Sequence, residues 1–260
     1  MIEENTKCIP ISDNELINLI CYPSLSEDCI KFRARSLAAL GIECILSDGR
    51  TNIGSVRVLG KGHSAVVVKV RHRKYGEAVL KLRRSDSKRE SLIPECRLMR
   101  LAVPIAPRPF ACNDDFIVME VVDGTHLEDI IKGIISCRDA VLLTIKVLSG
   151  AFWLDSIGIE HKELSIAGKH VMLTKDGRVK IIDYESASHH SNPCNLCSLF
   201  SWLIVRRKVL RRFCQVSEDF IQDLIQLIRK YKISPSLESR RKVFTELVKE
   251  LRKLVMHHDP

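Results

Sequence analysis

The hydrophobic period of this chain changes near residue 120, and that change constrains the fold more than composition does. Between Ile53 and Val121, short apolar runs alternate with turn residues. Ser55–Leu59, Ala65–Arg71, Ala78–Leu82 and Phe116–Val121 read as strands, and a helix near Leu92–Ala102 is ended by Pro104 and Pro107. Further on, Val141, Ile145, Leu148 and Phe152 recur at helical spacing, and helices are predicted over about Asn195–Phe213, Glu218–Lys230 and Leu237–Val255. One hairpin interrupts them, Val171–Leu173 and Val179–Ile182 about the turn Asp176-Gly177. The first fifty residues read as two short helices, about Asp13–Ile20 and Glu27–Leu40, broken at Pro23 and stopped at Gly41. The pattern predicts an α+β, two-lobed enzyme. A helical extension would cover residues 1–52, a small β-rich lobe 53–121 and a helical lobe 122–260, with the ligand crevice between the lobes.

Composition excludes several alternatives. The longest apolar run, Leu196 to Val205, is too short to cross a bilayer, so no membrane contact is expected. Ile2, Glu3, Glu4 and Asn5 offer no basic leader, which makes a cytoplasmic protein the default. Ten cysteines scattered through apolar segments read as reduced, buried thiols, and Cys214 as a small buried hydrophobe. The net charge of +9 is uneven, with much of the basic excess after residue 200, from Arg206, Arg207, Lys208, Arg211 and Arg212 to Arg240, Lys242 and Lys253. Such helices could meet RNA or a ribonucleoprotein; the plainer reading is solvated helix faces.

Four pieces that carry chemistry occur in order. Gly60-Lys61-Gly62 forms a turn between strands, where glycines let backbone N–H groups approach phosphate oxygens; alone, such a turn is weak. Lys81 sits inside the apolar strand Ala78-Val79-Leu80-Lys81 and needs an anionic partner, which Glu95 on the following helix can supply; the alternatives are a snorkelling lysine or pairing with Glu90. The strand end Val118-Met119-Glu120-Val121-Val122 can offer backbone groups of Glu120 and Val122 to an adenine edge. In His161-Lys162-Glu163-Leu164-Ser165 the acid can orient a nucleophilic hydroxyl, and Asp183 at the end of Ile181-Ile182-Asp183 can hold Mg²⁺.

Over residues 55 to 205 this order resembles the protein kinase superfamily. His161-Lys162-Glu163-Leu164-Ser165, Lys169-His170-Val171 and Asp183-Tyr184-Glu185 are most similar to atypical kinases of the RIO and KEOPS-complex type, and closer still to predicted archaeal serine/threonine kinases. The resemblance implies a bilobal kinase fold and ATP with Mg²⁺ or Mn²⁺ as cofactors. It implies transfer of the γ-phosphoryl group to a protein hydroxyl. It assigns nucleotide contacts to Gly60, Lys61, Gly62, Val66, Lys81, Glu95, Met119, Glu120 and Val122, metal binding to Asp183 and His170, and the catalytic-acid position to Glu163.

The sequence also departs from that family. Glu163 replaces aspartate, and a displacement of about 1 Å can cost about 10²-fold in rate. His170 stands where asparagine is usual, two residues further from Glu163, and imidazole is a poor ligand for a hard cation. Tyr184-Glu185 removes the flexible glycine, and no Ala-Pro-Glu segment follows. These departures keep two alternatives open, a RIO-like ATPase and a nucleotide-binding pseudokinase. His189, His190, Cys194 and Cys197 could surround zinc, but a single CxxC without a second pair is weak. Asn195 could cap the helix it starts, or anchor the loop at Glu163 as its counterparts in related kinases do. Arg83 and Arg84 face either a phosphate or solvent.

Overall fold

A computed structural model describes residues 6–256, so the reading at residues 2–5 lies outside them. Contacts divide the chain into one unit running to Arg100 and resuming over Pro107–Val121, and a second taking Leu101–Ala106 and the chain from Val122 on.

The first unit is built on a seven-stranded sheet. β1 (Cys8–Pro10) precedes α1 (Ile17–Ile20) and α2 (Glu27–Ala39). The Ser26 hydroxyl accepts from Cys29 N to cap α2, and Glu27 and Asp28 complement the dipole of its first turn. β2 (Ile42–Leu46) follows, then the small hairpin β3 (Thr51–Ile53) and β4 (Val56–Val58), then β5 (Gly60–Lys61), β6 (Ala65–His72) and β7 (Gly76–Arg83). α3 (Ile93–Ala102), β8 (Pro109–Cys112) and β9 (Phe116–Met119) complete it. The sheet order is β1-β2-β6-β7-β9-β8, with β5 added to β6. Strand alternation sends Val66, Val68, Val70, Leu80 and Leu82 into a core shared with Ile9, Leu16, Leu19, Ile20, Leu37 and Ile45. The first fifty residues are therefore not helical alone: β1 and β2 extend the sheet, three- and five-residue strands too short to leave a period-2 signal. Arg33 of α2 is buried. Its guanidinium donates to Arg83 O at 2.7 Å and pairs with Asp115 at 2.5 Å, while Arg83 reaches the same carboxylate at 2.7 Å. Arg83 is thus a brace within the fold.

The second unit holds the three-stranded sheet β10 (Gly124–His126), β12 (Val171–Thr174) and β13 (Val179–Ile181), joined to helices α4 (Leu127–Lys132) and α5 (Cys137–Ser156). β11 (Ile159–Glu160) pairs with β14 (Ser188–His189). α6 (Ala167–His170) fits closely at Gly168, where a Cβ would lie 2.9 Å from Trp202 Cζ2. The predicted helix Asn195–Phe213 is broken: α7 (Asn195–Phe200) runs into a π-helical turn over Ser201–Arg206, Lys208 takes a φ of 53°, and α8 (Val209–Phe213) follows. Leu203, Ile204, Val209 and Leu210 are all buried, so the apolar pattern runs through the break and no glycine or proline marks it. α9 (Glu218–Ile233) and α10 (Leu237–Met256) close the unit. Among the described residues no helix is long and apolar enough to cross a membrane.

The expectation of reduced thiols is overturned. All ten cysteines are paired, as Cys8–Cys44, Cys21–Cys29, Cys96–Cys112, Cys137–Cys214 and Cys194–Cys197. Spacing alone hid this, because the partners meet only through strand pairing and helix packing. Cys214 is buried, but as half of a bridge to the first residue of α5.

Candidate active site

In the first unit, β7 carries Lys81 on the face opposite Leu80 and Leu82. Its ammonium lies 2.7 Å from the Glu95 carboxylate of α3, with side-chain exposures of 6% and 1%. Glu90 is exposed, so the partner is Glu95. The turn after β5 closes through Gly62 N donating to Ala65 O at 2.9 Å. Neither Gly60 nor Gly62 has a positive φ. A Cβ on Gly60 would meet nothing nearer than Val67 Cβ at 4.0 Å, and one on Gly62 only Ala65 O at 3.4 Å. Backbone conformation and packing thus do not demand glycine at either position; its effect is to leave the turn's backbone uncovered.

Val66 is buried in the core, on the face away from Lys81. Val67 stands directly opposite Lys81 in the β6–β7 register and so shares its face. Strand register, which the sequence alone does not show, sets this pairing. Met119 ends β9 nearly buried, and Glu120 N donates to Arg108 O at 2.9 Å. Val122, partly exposed, lies where the chain returns to the second unit. Arg84, unlike Arg83, reaches the turn: its Nη1 donates to Gly62 O at 3.0 Å.

In the second unit, Glu163 from the segment before α6, His170 at the end of α6 and Asp183 after β13 converge, with their ligand atoms all within 4.8 Å of one another. His170 Nε2 lies 3.2 Å from Glu163 Oε2, and the Ser186 hydroxyl donates to Glu163 Oε1. Ser186 is a further residue the sequence reading did not single out. Asp183 and Lys162 hold φ of 67° and 68°, values unusual for residues with a side chain, which turn the chain sharply beside the cluster. Among the described residues this is the one group of three that could hold a metal ion. The Cys194 and Cys197 sulfurs are bonded to each other and do not serve as zinc ligands.

A buried scaffold fixes the cluster. His161 is fully buried; its N–H donates to Asn195 Oδ1 at 2.9 Å, and its Nε2 lies 3.0 Å from Ile182 O. With Nε2–H donating to that carbonyl, Nδ1 is the unprotonated nitrogen, and among the described residues no group hydrogen-bonds it. Burial, reinforced by the nearby His170, pushes the imidazole down to about 4, so it is neutral. Asn195 Nδ2 donates to Asp155 Oδ1 at 2.8 Å and Ile159 O at 2.6 Å. Asn195 is therefore an anchor and no side-chain cap, since Cys194 occupies the cap position. Asp155 also accepts from Asn195 N, Leu196 N and the Tyr231 hydroxyl, while burial raises it to about 6. Tyr184 packs edge-on against His161 at 5.0 Å, and its burial raises the phenol well above its ordinary range.

Part of the basic cluster is engaged within the chain. Arg207 pairs with Glu128, Arg211 with Glu218, Lys242 with Glu238 and Lys253 with Glu250, and Arg240 is buried against Pro193 O and the Tyr231 ring.

No protein-family model matches the chain. Over 163 residues it is 25% identical to mitogen-activated protein kinase kinase 7 of Arabidopsis thaliana, a match spanning 58% of this chain and 52% of that protein. Over 162 residues it is 25% identical to mitogen-activated protein kinase kinase 2 of the same plant, spanning 58% of this chain and 44% of that protein. The match thus spans about half the length of these curated relatives. The similarities support a protein-kinase-like relationship at a coarse level, and the mixed α/β architecture is compatible with it.

Proposed function

We propose that this chain is an atypical serine/threonine protein kinase that transfers the γ-phosphoryl group of ATP to a protein hydroxyl, using Mg²⁺ or Mn²⁺. The observation that carries the reading is the buried Lys81–Glu95 pair. A buried ion pair is an expensive way to stabilise a sheet, because desolvation offsets most of the attraction. It is a good way to hold an ammonium at a fixed point for phosphate oxygens. In this reading Lys81 binds the α- and β-phosphates, Glu95 sets its position, and the N–H groups of Gly60, Lys61 and Gly62 line the phosphates. Met119, Glu120 and Val122 meet the adenine edge, with Val67 taking the place assigned to Val66. Glu163 orients the attacking hydroxyl and accepts its proton.

The two carboxylates suit Mg²⁺ or Mn²⁺, and the His170 imidazole stands beside them as a weaker ligand for either ion. Asp183 and His170 would hold it. When bound, the cation supplies charge neutralisation at the phosphoryl oxygens.

One observation favours a second reading, a nucleotide-binding module or an ATPase. Both Glu163 oxygens are already engaged, by Ser186 and His170. The test is transfer and release of label from γ-labelled ATP with Mg²⁺ or Mn²⁺, for the intact chain beside Lys81→Ala, Glu163→Ala and Asp183→Ala. Label on protein that disappears in all three variants supports the kinase. Released phosphate without labelled protein supports the ATPase, and binding without turnover the module.

A further inference from the structure

The segment after α1 reaches the glycine turn through one aromatic ring. The Tyr22 ring centroid lies 4.9 Å from Lys61 Nζ and 5.0 Å from Arg84 Cζ. Arg84 is itself held rigidly. Asp86 accepts from its Nε at 2.8 Å and its Nη2 at 2.6 Å, which leaves Nη1 to donate to Gly62 O at 3.0 Å. Arg84 N also donates to Ser64 O at 2.8 Å. The turn is thus gripped at Lys61, Gly62 and Ser64, and two of these three grips end on the Tyr22 ring. Tyr22 in turn is fixed from behind. Its carbonyl accepts from Ser85 N at 2.9 Å, and the preceding residue is bonded to α2 through Cys21–Cys29.

Tyr22 packs partly against the core of the first unit, but the turn it touches does not. The turn residues Lys61, Gly62 and His63 are exposed, and the glycines bring no packing of their own. A glycine turn left to itself samples many backbone states, and each one it abandons on binding phosphate weakens affinity. A ring that attracts two cations restricts the turn in advance.

We propose that Tyr22 is a positioning residue for the phosphate-binding turn, acting through Lys61 and Arg84. The proposal rests on the reading that this turn cradles the phosphates of ATP. What acts is the π face of the ring, so Tyr22→Phe retains the function while Tyr22→Leu, apolar but smaller and without a π face, loses it.

Two readouts on the full chain test this. Amide hydrogen exchange without nucleotide should rise over residues 60–65 in Tyr22→Leu and stay at the wild-type level in Tyr22→Phe, with β6 and β7 unchanged in both. Mg-ATP titration should give a Kd weaker by about tenfold for Tyr22→Leu, while Tyr22→Phe stays within about twofold of wild type. Wild-type exchange in Tyr22→Leu, or equal loss in both variants, overturns the role of the ring. A looser turn with unchanged ATP affinity overturns the positioning role. A wild-type chain that binds no ATP sinks the nucleotide reading and with it the positioning role, and the exchange data then show separately whether the contact to the ring is real.

Discussion

Replacing Lys81 by Met keeps the length of the side chain and removes its charge, so it isolates what the ion pair does for the fold. The ammonium is 2.7 Å from Glu95, and both side chains are almost fully buried. In Lys81→Met the Glu95 carboxyl group stays buried without its cation, and it takes up a proton in preference to remaining charged there. Holding a carboxyl of ordinary pKa, about 4.3, neutral at pH 7 costs about 3.7 kcal/mol, and at pH 5 only about 1 kcal/mol. The sign follows from linkage: the variant's folded state binds the proton more tightly than its unfolded state, so stability falls as pH rises from about 4.3. The double variant Lys81→Met/Glu95→Leu has no buried charge left and should lie within about 1 kcal/mol of wild type. Urea unfolding of the wild type, both single variants and the double at pH 5 and pH 7 measures all of this. A double variant as unstable as the sum of its singles would refute the reasoning, as would a Lys81→Met loss that does not change with pH.

Two further outcomes follow from named contacts. The Cys137–Cys214 bridge spans 77 residues, and loop-closure entropy of that length is worth about 4 kcal/mol, so Cys137→Ser/Cys214→Ser should lose close to that amount in urea unfolding. Thiol titration of the unreduced, denatured wild type should find no free thiol, and free thiols there would overturn the pairing. His161, held down to about 4, contributes stability that is complete above pH 6.5 and is lost as pH falls through about 4. The stability difference between wild type and His161→Gln should therefore shrink by about 3 kcal/mol between pH 7 and pH 4, and a flat difference would show that the imidazole is not buried neutral.

The parts of the site that are local in sequence were legible. Lys81 in an apolar strand had to find an acid, and the nearest helix offered Glu95 at a helical position; the structure joins them. The hairpin Val171–Thr174 and Val179–Ile181 formed about Asp176-Gly177, because a turn glycine between two apolar runs admits few other outcomes. What escaped depends on register and packing. Val66 and Val67 are chemically identical, and only the pairing of Val67 with Lys81 decides which shares the lysine's face. Ser186 reaches Glu163 across 23 positions of sequence, and Cys137 meets Cys214 across 77. Separations of that size leave no periodic trace. The break between α7 and α8 was invisible for a different reason: Leu203, Ile204, Val209 and Leu210 on either side of it are apolar and buried, as in a continuous amphipathic helix, and no glycine or proline stands between them.

The departures at the acidic cluster make physical sense as a set. A flexible glycine after a metal-binding aspartate is useful where the following segment must move. Here the segment after Asp183 is fixed at several points. Tyr184 is buried against His161, Ser186 donates to Glu163, and Ser188–His189 pairs with Ile159–Glu160. α7 then begins at Asn195, whose side chain closes back on His161 N and Ile159 O. Glu185 stands at the flexible position, Tyr184 before it is fully buried, and His170 brings an imidazole to Glu163 that further restrains its longer side chain. The extra methylene of glutamate is a liability only if the carboxylate is free to wander. Held from both oxygens by Ser186 and His170, the carboxylate is restricted to one position by its neighbours.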